Sequence, residues 1–145
     1  MDHQRNWRRA AKDVLYGYWH DRKLLADSER AVLNASRGGI AEQRAAQGRH
    51  GDPTGKKALL LCSGEMQRLR QRITAVDDYL ATLDRRRRDQ DKLYQLIWLV
   101  YFRASHTQYG AAALLGISER TAKRWNDRAL RAIAVNMGWL DSPAR

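Results

Sequence analysis

The chain has 145 residues, of which 27 are Lys or Arg and 16 are Asp or Glu, so its formal net charge is +11. This length suits one domain or two small helical units, and it excludes a barrel enzyme or a dinucleotide-binding domain joined to a substrate domain. Because 43% of the residues are hydrophobic and five are Trp, the chain should fold rather than form a disordered basic tail. The excess of positive charge favours a polyanion as partner, most simply nucleic acid.

Cysteine content and apolar runs bear on where the protein works. The single Cys excludes an intrachain disulfide and a cysteine-based zinc cluster, and it fits a reducing compartment. No apolar run approaches the ~18 residues of a membrane span. The basic N-terminal stretch MDHQRNWRRA has no apolar region behind it, which is not typical of a signal peptide. We therefore expect a cytoplasmic protein without a membrane partner.

An all-α fold is predicted, because Ala, Leu, Arg and Gln dominate and strand-like alternation is absent. The first segment, residues 5–36, is amphipathic. Its stripe has spacings of three and four residues and runs through Trp7, Ala11, Val14, Tyr18, Asp21, Leu25, Ser28, Val32 and Ala35. The segment is one long helix or two helices broken near Gly17, since Gly costs about 1 kcal/mol relative to Ala in a helix.

A glycine-rich stretch separates this segment from a second one. Residues 37–55 contain five Gly and one Pro, which predicts a flexible loop. The second segment, residues 56–84, has a heptad-like stripe formed by Leu59, Cys62, Met66, Leu69, Ile73, Val76, Leu80 and Leu83. Because the two segments are similar in length, we predict an antiparallel, coiled-coil-like helical hairpin over residues 1–84. The stripe also allows a homodimer, and Cys62 on it is expected to be a small core residue.

The second predicted unit covers residues 85–145. It opens with Arg85-Arg86-Arg87-Arg88, which marks a junction or a solvated helix start, with either a solubilising role or a phosphate-binding one. An apolar segment follows, with Leu93, Leu96, Ile97, Val100 and Tyr101 on it and Trp98 and Phe102 on adjoining faces. It is hydrophobic on most sides, so it should be the buried first helix of this unit.

Residues 107–137 have the pattern of a helix-turn-helix. The motif needs a small residue where the helices cross and a Gly in the turn, where φ can be positive, and Ala112 and Gly116 supply these. Ser118 is placed to cap the next helix, with Glu119 in its first turn. The predicted buried stripe of that helix is Ala122, Trp125, Ala129 and Ile133.

The opposite face of this second helix is basic, since residues 104–140 contain five basic and two acidic side chains. In this motif the second helix enters the major groove N-terminus first. The residues predicted nearest the bases are Ser118, Glu119, Arg120, Thr121, Lys123 and Arg124. Arg can bond guanine bidentately, and Glu can accept from cytosine. The residues predicted to contact phosphates or the flanking backbone are Arg128, Arg131, Gln108 and Tyr109. A plain helical hairpin with a solvated basic face is the alternative.

The segment GAAALLGISERTAKRWNDRALRAIA, Gly110 to Ala134, resembles the sigma-region-4-like helix-turn-helix of phage late-gene transcription regulators of the RinA and ArpU type. The segment from Asp52 to Leu83 resembles the helix that precedes the DNA-binding unit in that family. The resemblance implies a small cytoplasmic DNA-binding protein of a phage or prophage that acts on late or packaging genes. It also implies that the recognition helix begins at Ser118 and reads DNA through Arg120, Thr121, Lys123 and Arg124.

We therefore predict a sequence-specific transcription regulator rather than an enzyme. Its expected partners are double-stranded DNA and RNA polymerase, and no cofactor, metal or catalytic residue is expected. The four histidines match no metal-ligand spacing, and the glycines form no phosphate-binding loop. Two alternatives remain open: the small subunit of a phage terminase, which joins a helix-turn-helix to helical hairpins in a ring, and a Q-type antitermination factor.

Overall fold

A computed structural model describes residues 2–45 and 64–142 of the chain. Every regular element within these ranges is helical, which confirms the predicted all-α class. The helices are α1 (Asp2–Tyr16), α2 (Tyr18–Ala45), α3 (Met66–Ala81), α4 (Arg88–Ile97), a π-helical turn (Trp98–Phe102), α5 (Gln108–Leu115) and α6 (Glu119–Asn136). None of these described helices combines the length and the apolar character that crossing a membrane requires.

The first amphipathic segment forms two helices that meet at Gly17. The amide of Gly17 still donates to the carbonyl oxygen of Asp13 at 2.9 Å, so the junction is tight. The predicted stripe has the right phase, because its buried members include both apolar and polar residues: Trp7, Ala11, Val14, Tyr18, Asp21 and Ser28. The polar residues of the stripe, Asp21 and Ser28, are therefore buried like its apolar residues.

The predicted loop over residues 37–55 is wrong in its first part. Helix α2 continues to Ala45, so residues 37–45 are helical. The two glycines there cost about 1 kcal/mol each, whereas Ala, Glu, Gln and Arg in the same stretch are good helix formers. Residues 46–55 lie outside the described part of the chain, as do Leu59 and Cys62 of the second stripe.

The chain divides into two compact units. Unit 1 comprises Met1–Trp19 and Arg72–Arg145, and unit 2 comprises His20–Gln71. These boundaries lie elsewhere than the predicted one between residues 84 and 85, because α1 packs against α6 within unit 1. In unit 2, the guanidinium of Arg70 lies 3.3 Å from the carboxylate of Glu29. The hairpin over residues 1–84 and the dimer stay predictions.

The end of α3 in unit 1 is tied to its neighbours by polar contacts. The Tyr18 hydroxyl donates to the carboxylate of Asp77. The side-chain amide of Asn136 donates to the carbonyl oxygen of Ala75 at 2.9 Å. Ile73 and Val76 are buried as the heptad-like stripe predicts. This part of the second stripe is therefore a core face of unit 1.

The apolar segment that spans α4 and the π-helical turn is less buried than its hydrophobicity predicts. Its buried residues are Leu96, Ile97, Leu99, Val100 and Tyr101. Trp98 is exposed, and its ring contacts those of Trp19 and Phe102 edge to face, with centroids 6.0 Å apart in each case. The wider π-helical turn holds five consecutive large side chains, which point around its circumference, so one of them faces outward.

Ala104 has a φ of 52°, in the left-handed region that costs a residue with a Cβ about 1–2 kcal/mol. Glycine avoids this cost but loses more chain entropy on folding. We expect Ala104→Gly to raise the free energy of unfolding in urea by roughly 0.5–1 kcal/mol. The control Ala113→Gly, at an exposed position inside α5, should lower it by about 1 kcal/mol. A lower stability of Ala104→Gly would contradict the left-handed backbone at this residue.

Candidate nucleic-acid interface

The turn between α5 and α6 has the positive φ that the sequence predicts at Gly116. Gly116 has φ 68° and ψ 33°, a left-handed conformation, and it ends α5. The amide of Ile117 donates to the carbonyl oxygen of Ala112 at 3.1 Å, which closes the helix end. No atom lies within 4 Å of the place where a Cβ would stand on Gly116, so glycine is required for its backbone angle and not for space.

Both motif helices begin at a hydroxyl cap. Ser118 Oγ accepts from the amide of Thr121 at 3.1 Å and contacts Thr121 Oγ1 at 2.8 Å. Thr107 Oγ1 accepts from the amide of Gly110 at 3.1 Å and starts α5 in the same way. The cap at Ser118 was predicted from the sequence, whereas the cap at Thr107 was not, although a Thr just before Gln108 was a usable signal. The caps define the residue at which each helix begins.

The predicted base-reading residues lie at one exposed end of α6. Those exposed to solvent are Ser118, Glu119, Arg120, Lys123 and Arg124, whereas Thr121 is half-buried. The three cations among them form no ion pair with any other residue in the described ranges. Their charge is therefore not neutralised within that part of the chain, and this end of α6 can offer it to a polyanion.

The C-terminal part of the basic face, unlike its N-terminal part, lies next to side chains of α1 that the sequence did not predict as neighbours. Asp127 lies 3.2 Å from the guanidinium of Arg8 on α1. The Arg131 guanidinium lies 5.6 Å from the centre of the buried Trp7 ring. Arg128 is exposed. Helix α1 thus contributes to this end of the surface, and the predicted phosphate contacts of Arg128 and Arg131 stay predictions.

The residues predicted to touch the flanking backbone differ in exposure. Tyr109 is 67% exposed. Gln108 is half-buried and lines a cavity of about 430 Å³ together with Lys12, His106 and other residues of α1, the π-helical turn and α6. Tyr109 is therefore accessible to an incoming strand, whereas Gln108 also belongs to the packing of the motif.

A shallow groove runs beside the N-terminal end of α6. It has a volume of about 420 Å³ and is lined by Arg88, Asp89, Lys92, Ile117, Ser118, Thr121 and Trp125. Trp125 was predicted to lie in the core; it is half-buried and forms part of this groove. Because Trp125 lines this groove together with residues of α4, the predicted buried stripe of α6 borders the surface at this position.

A buried polar pair fixes α6 against the π-helical turn. The Tyr101 hydroxyl donates to the side-chain oxygen of Asn126, and both residues are buried. Burial raises the pKa of Tyr101 above its ordinary value, with smaller upward effects of Tyr16 and Asp127. The hydroxyl thus stays protonated as a donor over the ordinary pH range. The apolar periodicity of α6 did not reveal Asn126.

The chain matches no protein-family model, no curated protein and no solved structure. The resemblance to RinA- and ArpU-type regulators therefore stays a prediction. Among the described residues, no group of three or more His, Cys, Asp and Glu side chains could hold a metal ion.

Proposed function

We propose that this protein is a sequence-specific DNA-binding transcription regulator that inserts the N-terminal end of α6 into the major groove. One observation supports this most: a closed helix-turn-helix turn at Gly116 leads into a capped helix whose first turns expose three cations without ion-pair partners in the described chain. The second helix of such a motif reads base edges with its N-terminal residues.

The chemistry of these side chains suits direct readout. The planar guanidinium groups of Arg120 and Arg124 can each form two hydrogen bonds to a guanine edge. Glu119 can accept from a cytosine amino group. Other basic residues would contact phosphates, which supply much of the affinity but little of the specificity. From the resemblance, we further propose a phage or prophage late-gene regulator that acts with RNA polymerase in the bacterial cytoplasm.

The test begins with selection of duplexes that bind the protein, from fragments of its parent genome. Affinity is then measured for a selected duplex and a scrambled one. Arg120→Ala and Arg124→Ala should each weaken the binding free energy by about 1–3 kcal/mol on the selected duplex and change it little on the scrambled one. The control Arg30→Ala removes the same charge from an exposed position in unit 2 and should leave the preference unchanged.

Two results would contradict the proposal. The first is the absence of any preferred duplex for the wild-type protein. The second is an equal loss on selected and scrambled DNA in the Arg120 and Arg124 variants, since that result would assign these residues to phosphates. The positions of the selected fragments matter as well, because enrichment upstream of late genes supports regulation, whereas enrichment at a packaging site supports the terminase alternative.

A further inference from the structure

We propose that the groove between α4 and the N-terminal end of α6 binds the DNA sugar-phosphate strand next to the bases that α6 reads, with Arg88 and Lys92 as the phosphate ligands. This inference rests on the proposed function and adds a second binding surface to it. The groove is continuous with the predicted reading end, because Ser118 and Thr121 line it and belong to that end. A strand beside α6 would therefore pass the two α4 cations.

The cations in and just before the first turns of α4 are of two kinds. Arg85 lies 3.0 Å from the carboxylate of Asp91, and its guanidinium lies 4.0 Å from the centre of the Tyr94 ring. Arg86 lies 3.1 Å from the carboxylate of Asp84. These two side chains have local partners, so the fold itself accounts for their positions.

Arg88 and Lys92 differ from this pair, because neither forms an ion pair with another residue in the described ranges. They are four residues apart on α4, so they share one face of the helix. Both line the groove, where Asp89 is the one acidic residue. The groove therefore has an excess of positive charge, which is complementary to a phosphate strand.

The rest of the groove wall suits the same partner. Ile117 and Trp125 provide apolar surface next to the two cations. Arg88 and Lys92 would set the position of the strand, while Arg120 and Arg124 read the bases.

The experiment uses the full chain and the selected and scrambled duplexes defined above. Arg88→Gln and Lys92→Gln remove the charge and keep a long side chain with good helix propensity. Each variant should weaken binding of both duplexes alike, by about fivefold at 0.15 M salt, because one phosphate contact contributes about 0.9 to the slope of log affinity against log salt. That slope should fall by about 1 for each substitution. Arg86→Gln is the matched control and should change neither quantity.

The outcomes separate this inference from the proposed function. If the wild-type protein prefers the selected duplex and Arg88→Gln and Lys92→Gln behave like Arg86→Gln, the groove does not bind phosphates and the proposed function stands. A loss confined to the selected duplex also overturns the inference, because it would make the α4 residues base readers. If the wild-type protein binds no duplex, both proposals fail. Thermal melting of each variant checks that the fold is retained.

Discussion

Replacing Leu130 by Ala should lower the free energy of unfolding by about 3 kcal/mol, within the range of about 2–5 kcal/mol for such core substitutions. Leu130 is on α6 and is fully buried. Its removal loses apolar contact and leaves a cavity that the surrounding helices refill only in part. Because α6 packs against α1, α4 and α5, the loss should appear as one cooperative shift of the urea unfolding midpoint of unit 1.

Leu114→Ala is the matched control for this prediction. It removes the same atoms from the same motif, but Leu114 on α5 is 64% exposed. We expect a change of less than about 0.5 kcal/mol, as for most surface substitutions. Similar losses in the two variants would show that α6 is not the central core helix of unit 1.

The second prediction concerns two buried tyrosines with opposite hydrogen-bond states. Tyr101→Phe should lower the free energy of unfolding by about 1–3 kcal/mol, because it leaves the buried side-chain oxygen of Asn126 without its donor. Tyr79→Phe removes a buried hydroxyl that has no hydrogen-bond partner among the described residues. That variant should be as stable as the wild type, or more stable by up to about 1 kcal/mol. Chemical denaturation measures the free energy of unfolding of both variants, and so compares the loss of a buried hydroxyl that is hydrogen-bonded with the loss of one that is not.

The pH dependence of stability provides an independent measurement on Tyr79. Burial raises its pKa to about 12, and the charge of Arg128 partly opposes the rise. An unfolded tyrosine releases its proton near pH 10, so between pH 10 and 12 the unfolded chain binds fewer protons than the folded one. Stability therefore falls as the pH rises through this window. Tyr79→Phe should reduce that fall by roughly 2 kcal/mol, and an undiminished fall would contradict the burial of this hydroxyl.

The elements of the candidate interface that were predictable depend on local backbone chemistry. The turn that ends α5 has a positive φ, which Gly116 adopts without strain. The start of α6 is stabilised by a hydroxyl cap, which Ser118 supplies. These requirements act within five or six residues, so they are visible in the order of residue types. The same holds for the buried stripe of α1, whereas the sequence allowed either one long helix or the break that the structure has at Gly17.

Other features depended on partners distant in sequence. The periodicity of α1 showed which face would be buried, but not that this helix packs against α6. Consequently the pairing of Arg8 with Asp127 and the position of Arg131 near Trp7 were unforeseen. The bond between Tyr101 and Asn126 was unforeseen as well, because it joins the π-helical turn to α6. The helical continuation over residues 37–45 differs from the predicted loop for another reason, because the helix formers Ala, Glu, Gln and Arg outweigh the cost of two glycines there.

The net charge of +11 and the order of residue types determined by themselves that this chain is helical and basic, that its backbone turns at Gly116, and that a helix begins after Ser118. The tertiary structure decided how the cations are used. It places Arg85 and Arg86 against local acids, brings Arg8 to Asp127, and leaves Arg88, Lys92, Arg120 and Arg124 without ion pairs in the described chain. The physical reason is that an ion pair depends on a separation of a few ångströms, which the folded backbone sets for the local pairs and the packing of α1 against α6 sets for Arg8 and Asp127.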